Sequence, residues 1–262
     1  MFNKTEILAL YDAQMRIGLR LPEAVFENTG RIVRDHSRIE NAGFINYADL
    51  DEICAEEEIT AQIAFFRSLN MPFTWKVYDH DQPADMRQRL AAHGFEVGSP
   101  SMLMAYQLPE APIPLPEQSI SRVQRVTEER EIEAIVCVEE AVYQSPRDWL
   151  RKRLLHMYRT TPQWISLYAG FAEEEVVAGA WIIYYPGSQF ASLLGGATLP
   201  EFRSRGYYTA LLVARMRAAQ DRGMRFLVVD ASSMSEPLLS KHGFLRLEHT
   251  SYCRWSPPGQ AE

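Results

Sequence analysis

The sequence predicts an α/β protein of two tandem units, each a central twisted mixed sheet flanked by helices. Three observations predict it. Strand-like runs alternate with helical patterns along the whole chain. The segment Pro109-Glu-Ala-Pro-Ile-Pro-Leu-Pro116 carries four prolines in eight residues and divides the chain into about 110 and about 145 residues, both ordinary domain sizes. Each part also closes on one order of elements: helix, strand ending in Asp, short helix, His-Gly-Phe, strand.

In the first part, 31–35 and 43–47 read as strands. Asp51 to Leu69 reads as a helix, with Ile53, Ile59, Ile63 and Phe66 at helical spacing. Phe73 to Asp79 follows as a strand, Ala84 to Ala92 as a short helix, then His93-Gly94-Phe95 and a strand from Met102 to Leu108. The prolines give an extended, semi-rigid spacer, because they cannot donate backbone hydrogen bonds. In the second part, Ser119 to Val126 is a strand, and Glu128 to Val142 and Asp148 to Arg159 are helices. Trp164 to Phe171 and Val176 to Tyr185 form a hairpin, and Gln189 to Thr198 is a further strand. Tyr208 to Asp221 is a helix ended by Gly223, Arg225 to Asp230 a buried strand, and Ser235 to Lys241 a short helix. His242-Gly243-Phe244 and a strand from Leu245 to Trp255 complete the pattern.

Composition narrows the function. Hydrophobic residues make up 47% and charged residues 23% of 262, which excludes a disordered or collagen-like chain. With 27 Lys+Arg against 34 Asp+Glu the net charge is −7, so nucleic acid and anionic membranes are not expected partners. Cys54, Cys137 and Cys253 form no C-x-x-C pair, which excludes a zinc ribbon or disulfide framework and fits a reducing compartment. The N-terminus has no apolar signal core, and the most apolar stretch, 178–185, is far short of the ~20 residues a membrane helix needs. A soluble, cytoplasmic protein is expected.

The segment Gly195-Gly-Ala-Thr-Leu-Pro-Glu-Phe-Arg-Ser-Arg-Gly206 joins a strand to a helix. Its free N–H groups, the positive end of the helix dipole and the side-chain-free Gly206 would make a pyrophosphate cradle, with Arg203 and Arg205 adding charge. A plain surface turn with solvated arginines fits the spacing equally well.

The segment resembles the acyl-CoA-binding motif of the GNAT superfamily of N-acyltransferases, hydrophobic-x-Pro-Glu-x-Arg-x-x-Gly-x-Gly/Ala after the fourth strand. Here it reads Thr198-Leu-Pro200-Glu201-Phe-Arg203-Ser-Arg-Gly206-Tyr-Tyr208, with Tyr208 where Gly or Ala is usual. Lys241-His-Gly-Phe244 is similar to the family's closing Gly-Phe. The resemblance implies fourth and fifth strands that splay to admit pantetheine, paired by the backbone of Ala197, Thr198 and Leu199. The amides of Ser204, Arg205, Gly206, Tyr207, Tyr208 and Thr209 would hold the pyrophosphate. Ser232 stands where an Asn often touches pantetheine. Leu239 stands where many members carry a Tyr that protonates the departing thiolate.

The matching junction of the first half holds Asp49, Asp51, Glu52 and Glu56 to Glu58, which would repel a pyrophosphate. Residues 1–108 are therefore expected to be a degenerate GNAT-like domain without a cofactor site, 109–118 a linker, and 119–262 the acetyltransferase domain. The architecture is similar to that of mycothiol synthase. The implied function is acetyl transfer from acetyl-CoA, used as cosubstrate without a metal, to an amine of a small molecule, with a homodimer as an allowed assembly. The alternative is a catalytically silent CoA-binding sensor or scaffold.

Other chemistry-bearing residues carry less. Six histidines show no metal-ligand spacing, and His93 and His242 read as helix-end residues. Glu139, Glu140 and Asp230 are candidate bases, although the glutamates read first as a solvated helix face and Asp230 as a loop cap. Arg147, Arg151, Lys152 and Arg153 form a basic patch: a solvated face, or a site for an acidic substrate.

Overall fold

The computed structural model describes residues 2–21, 24–37, 41–113 and 122–259. In chain order the elements are α1 (Lys4–Tyr11), a π-helical turn (Asp12–Ile17), β1 (Val25–Asn28), β2 (Ile32–Ser37), β3 (Ala42–Ala48), α2 (Ala55–Ser68) and β4 (Phe73–Tyr78). Next come α3 (Met86–Ala92), β5 (Glu96–Val97), β6 (Ser101–Gln107), β7 (Val123–Arg125), α4 (Glu129–Tyr143), α5 (Asp148–Thr160), β8 (Ile165–Ala172) and β9 (Glu175–Tyr184). The last are β10 (Phe190–Thr198), a 3-10 turn (Pro200–Phe202), α6 (Tyr207–Asp221), β11 (Phe226–Ala231), α7 (Glu236–Lys241) and β12 (Leu245–Trp255).

The chain divides into two compact units, but not at the proline-rich segment alone. One comprises Met1–Ala105 with Asp230–Glu262, the other Tyr106–Val229. The expected spans 1–108, 109–118 and 119–262 place the last strand in the second half. Instead β12 inserts between β4 and β6, antiparallel to both, with Cys253 opposite Trp75 and Leu245 opposite Ala105. A long strand of alternating buried and exposed residues satisfies its ladder wherever two free edges meet it. Of the expected spacer, residues 109–113 are tied to α6 rather than free: Gln220 Nε2 donates to the carbonyls of Pro109 and Ala111, and Arg217 Nε to that of Ile113. Residues 114–121 and 260–262 lie outside the described residues.

In the first unit the strand order is β1-β2-β3-β4-β12-β6, with β5 also on β12. Only β3 and β4 run parallel, joined by α2 as a crossover. The core gathers Ile45, Ile59, Phe66, Phe73, Trp75, Leu90 and Trp255. Phe66 stacks on Phe73 at 4.2 Å between ring centroids, in space that a Cβ on Gly43 would fill. Asn3 and Glu6 form a capping box that starts α1, and one expectation shifts. Ile53 sits in a turn and is 90% exposed, because Asp51 Oδ1 accepts the N–H groups of Ile53 and Cys54 and delays the helix to Ala55.

The repeated ending is reproduced bond for bond. Phe95 N–H donates to Leu90 C=O and Gly94 N–H to Ala91 C=O; Phe244 N–H donates to Leu239 C=O and Gly243 N–H to Ser240 C=O. Gly94 (φ 85°) and Gly243 (φ 86°) take the left-handed conformation that this cap requires.

The second unit orders its strands β11-β10-β9-β8-β7, parallel only between β10 and β11. Helices α4 and α5 bury Ile132, Ile135, Val136, Leu150 and Leu154 against Ile165, Leu167, Trp181 and Ile183.

Candidate functional site

β10 and β11 pair over three residues only, Phe190 to Ser192 against Phe226 to Val228. Beyond Ser192, β10 runs on to Thr198 along β9 alone. The expected splay is therefore present, and one edge of 193–198 is left without a β11 partner. Leu199 N–H donates to Val177 C=O at 3.0 Å. Because an antiparallel strand alternates its backbone groups between its two sides, the neighbouring Thr198 turns N–H and C=O to the open edge. Of the three expected backbone partners, Thr198 is the one so turned, while Leu199 spends its N–H on β9.

Within this length Gly195 pairs with Ala180 and Ala197 with Gly179, so Gly196 is the extra residue of a bulge. Gly195 (φ 67°) and Gly196 (φ 99°) are both left-handed. A Cβ on Gly195 would stand 2.4 Å from the Trp181 ring, and one on Gly196 3.4 Å from the Tyr208 ring. Beneath the bulge lies Arg215, 2% exposed. Its Nη1 donates to the carbonyls of Leu194 (3.1 Å) and Trp181 (3.4 Å), and its Nε to Leu211 C=O. Burial pulls its guanidinium down to about 10, partly offset by Tyr208, Tyr168 and Tyr184. It thus keeps its charge at neutral pH, with no carboxylate among those partners.

The loop from Arg203 to Gly206 forms the entrance to α6. Ser204 (φ 60°) and Gly206 (φ 87°) bracket Arg205 with left-handed backbone, the alternation that turns successive N–H groups into one concavity. Gly206 caps α6 without a side-chain hydrogen bond. The amides from Ser204 to Tyr208 take no acceptor among the described residues, and no acidic residue occupies the first turn. Residues 203–206 are exposed.

The side chains behave less uniformly. Arg203 Nε donates to Thr198 C=O at 3.2 Å, so this arginine folds back onto the open edge. Arg205 lies over the Phe202 ring at 5.1 Å. Tyr207 is buried and its hydroxyl donates to Phe171 C=O at 3.0 Å, anchoring α6 to β8. Ser232 lies in the first unit, where its Oγ accepts the Ser235 N–H at 3.3 Å and helps start α7. Leu239 is 1% exposed and packed in α7.

The candidate bases separate. Asp230 is not a loop cap: Oδ2 accepts from Lys76 Nζ (2.7 Å) and Tyr252 Oη (2.7 Å), and Oδ1 from Thr250 Oγ1 (2.9 Å). Burial would raise its carboxyl, yet Lys76 and these bonds hold it below the usual range, which makes it a poor base. Glu140 accepts from the Arg147 N–H and faces Arg151. Glu139 is not on a solvated face: it is 3% exposed. Its signal was in the sequence, since Ile132, Ile135, Val136 and Glu139 follow the i, i+3, i+4, i+7 rule for a buried stripe. Arg151 pairs with Glu133, whereas the Arg147 guanidinium lies 4.0 Å above the Tyr143 ring. His93 Nε2 meets Glu56 at 2.6 Å beside the end of α3.

At the matching junction of the first unit, Asp51 Oδ1 accepts the N–H groups of Ile53 and Cys54 just before α2. Among the described residues no group of three or more His, Cys, Asp or Glu side chains is placed to hold a metal, and no helix is long and apolar enough to cross a membrane.

Residues 128–244 match the acetyltransferase (GNAT) family. No curated protein is similar enough in sequence to match. Among solved structures, the chain is similar to a GCN5-related N-acetyltransferase from Kribbella flavida, with 13% identity and a TM-score of 0.63 over 90% of both chains. It is also similar to a functionally unknown conserved protein of Staphylococcus epidermidis, with 11% identity and a TM-score of 0.64 over 94% of this chain and 97% of that one. A tandem GNAT protein from the clavulanic acid biosynthesis pathway aligns at 12% identity and a TM-score of 0.52, covering 93% of this chain and 86% of that one. Identities this low bear on fold, and the family match bears on the segment that holds the splayed strands and the cradle. The GNAT acetyltransferase match thus covers residues 128–244, and the fold of the whole chain is similar to that of a tandem GNAT protein.

Proposed function

We propose that this protein transfers an acetyl group from acetyl-CoA to the amine of a small molecule by direct attack. One observation carries the reading: an unsatisfied amide concavity at the tip of α6 (Ser204 to Tyr208) opens beside the unpaired edge of β10. The concavity and the helix dipole suit a pyrophosphate. The edge at Thr198 offers a donor and an acceptor to the amide groups of pantetheine. The bulge at Gly196 supplies a backbone N–H to polarise the thioester carbonyl, and the buried Arg215 beneath it favours negative charge developing there. A free amine then attacks the carbonyl carbon, the C–N bond forms, and the C–S bond breaks to release CoA as its thiolate.

A silent CoA-binding sensor is the second reading, favoured by the buried Leu239 where a proton-donating Tyr would be useful. Thiolates leave readily, and one acid contributes only ~10²–10⁴-fold, so its loss is compatible with turnover. Calorimetry with CoA and steady-state thiol release over an amine panel separate the readings. Binding with turnover supports transfer, binding without turnover supports the sensor, and no binding removes both.

A further inference from the structure

Helix α4 carries a charge that its fold does not use. Ile132, Ile135, Val136 and Glu139 are all buried on one face, and the helix packs on β9 and β10. Ile135 lies against Gly179, its Cγ2 2.7 Å from where a Cβ would stand. Gly179 is the ladder partner of Ala197 on the open length of β10. Glu139 follows one turn later, ~6 Å along the same face. Its Oε1 is buried without a hydrogen-bond partner, an arrangement that costs stability and is rare unless a ligand completes it. Burial pushes this carboxyl up, and Arg147 offsets the effect in part.

Arg147 has the complementary defect. Its Nε is buried and also lacks a partner, while its guanidinium rests 4.0 Å from the Tyr143 ring centroid. The two charges are close enough to shift titration, yet no ion pair joins them. Tyr143 is 57% exposed, and Trp149, two residues beyond Arg147, is 54% exposed. Two opposite charges that each keep an unpartnered polar atom, beside exposed aromatic side chains, are completed by a molecule carrying both opposite charges itself.

We propose that Glu139 and Arg147 form the acceptor subsite and that the acceptor is an amino-acid-like zwitterion, its primary ammonium on Glu139 Oε1 and its carboxylate on Arg147. This rests on the acyl-transfer reading above. Glu139 takes one proton from the ammonium, and the free amine attacks the thioester carbonyl carbon. The C–N bond forms as the C–S bond breaks. The amide nitrogen gives its surplus proton to water, and the thiolate is protonated by solvent.

The test uses the full chain, acetyl-CoA, free L-amino acids and their methyl esters, read as thiol release. Wild type is expected to prefer the free acids at least tenfold in kcat/KM. Glu139→Gln is expected to lower turnover at least a hundredfold while CoA affinity holds. Its Tm stays level or rises, because an orphaned buried charge has gone; a structural glutamate would give the opposite sign. Arg147→Met is expected to raise KM for free acids at least tenfold more than for esters. Equal use of esters, turnover within threefold in Glu139→Gln, or a lowered Tm in that variant overturns the proposal alone. Wild type that binds CoA but acetylates no amine overturns the acyl-transfer reading and this proposal with it.

Discussion

Lys76 Nζ lies 2.7 Å from Asp230 Oδ2, linking β4 to a residue 154 positions later in the chain. Lys76 is 5% exposed; burial would lower its amine, but Asp230 together with Tyr11, Tyr252 and Tyr78 raises it well above the usual value, so it stays protonated. The pair is a structural clasp, and breaking one side leaves a buried charge alone. Asp230→Asn should therefore cost about 3–5 kcal/mol in urea unfolding. A loss below about 1 kcal/mol, the level of a surface pair, would show that water already solvates Lys76.

Gly206 tests the cradle. A Cβ there meets no atom within 4 Å, so a side chain projects into open space where a phosphate would sit. Gly206→Glu should raise the Kd for CoA at least tenfold by calorimetry, through bulk and like charge, with the φ of 87° adding ~1–2 kcal/mol of backbone strain. Unchanged affinity would place the phosphates elsewhere.

Arg215 tests the bulge. Arg215→Met strips Leu194 and Trp181 of a shared donor, at a cost of about 1–3 kcal/mol for buried groups left unpaired. It should lower kcat at least tenfold, while the Ser204–Tyr208 amides keep their hold on CoA. Arg215→Lys retains the charge and should recover part of kcat; equal losses in Lys and Met variants would mean that the planar fork, not the charge, matters.

His80 sets an alkaline limit on stability. Its Nε2 donates to Asp12 (2.9 Å) and its Nδ1 to Glu248 (2.7 Å), and these bonds raise the imidazole from 6.5 to about 10 against the effect of burial. A group raised on folding contributes fully below its unfolded value and loses that contribution as pH rises through the folded one. Melting temperature should fall between pH 6.5 and 10, and His80→Gln should flatten that decline. An identical slope in the variant would assign the loss to other groups.

Much of this was legible in the sequence. The His-Gly-Phe endings announce their caps, because Gly alone takes the left-handed turn without strain. The Arg203-Ser-Arg-Gly206 loop announces the amide concavity for the same reason. What was hidden depended on partners distant in the chain. Lys76 and Asp230 show no local pattern that pairs them. Leu245 to Trp255 reads correctly as a strand, but no period tells which edges it will join. Glu139 was legible in its stripe with Ile132, Ile135 and Val136, but the adjacent Glu140, which bonds Arg147 and Arg151, makes the pair read as solvent-facing.

The strand that completes the first sheet leaves the ribosome after every strand it joins. The whole intervening unit is synthesised first, on the order of ten seconds at ordinary translation rates. Until then β4 and β6 wait with naked edges, the state in which nascent chains recruit chaperones or pair with one another. A chain interrupted before Leu245 would thus lose the sheet of its opening half as well.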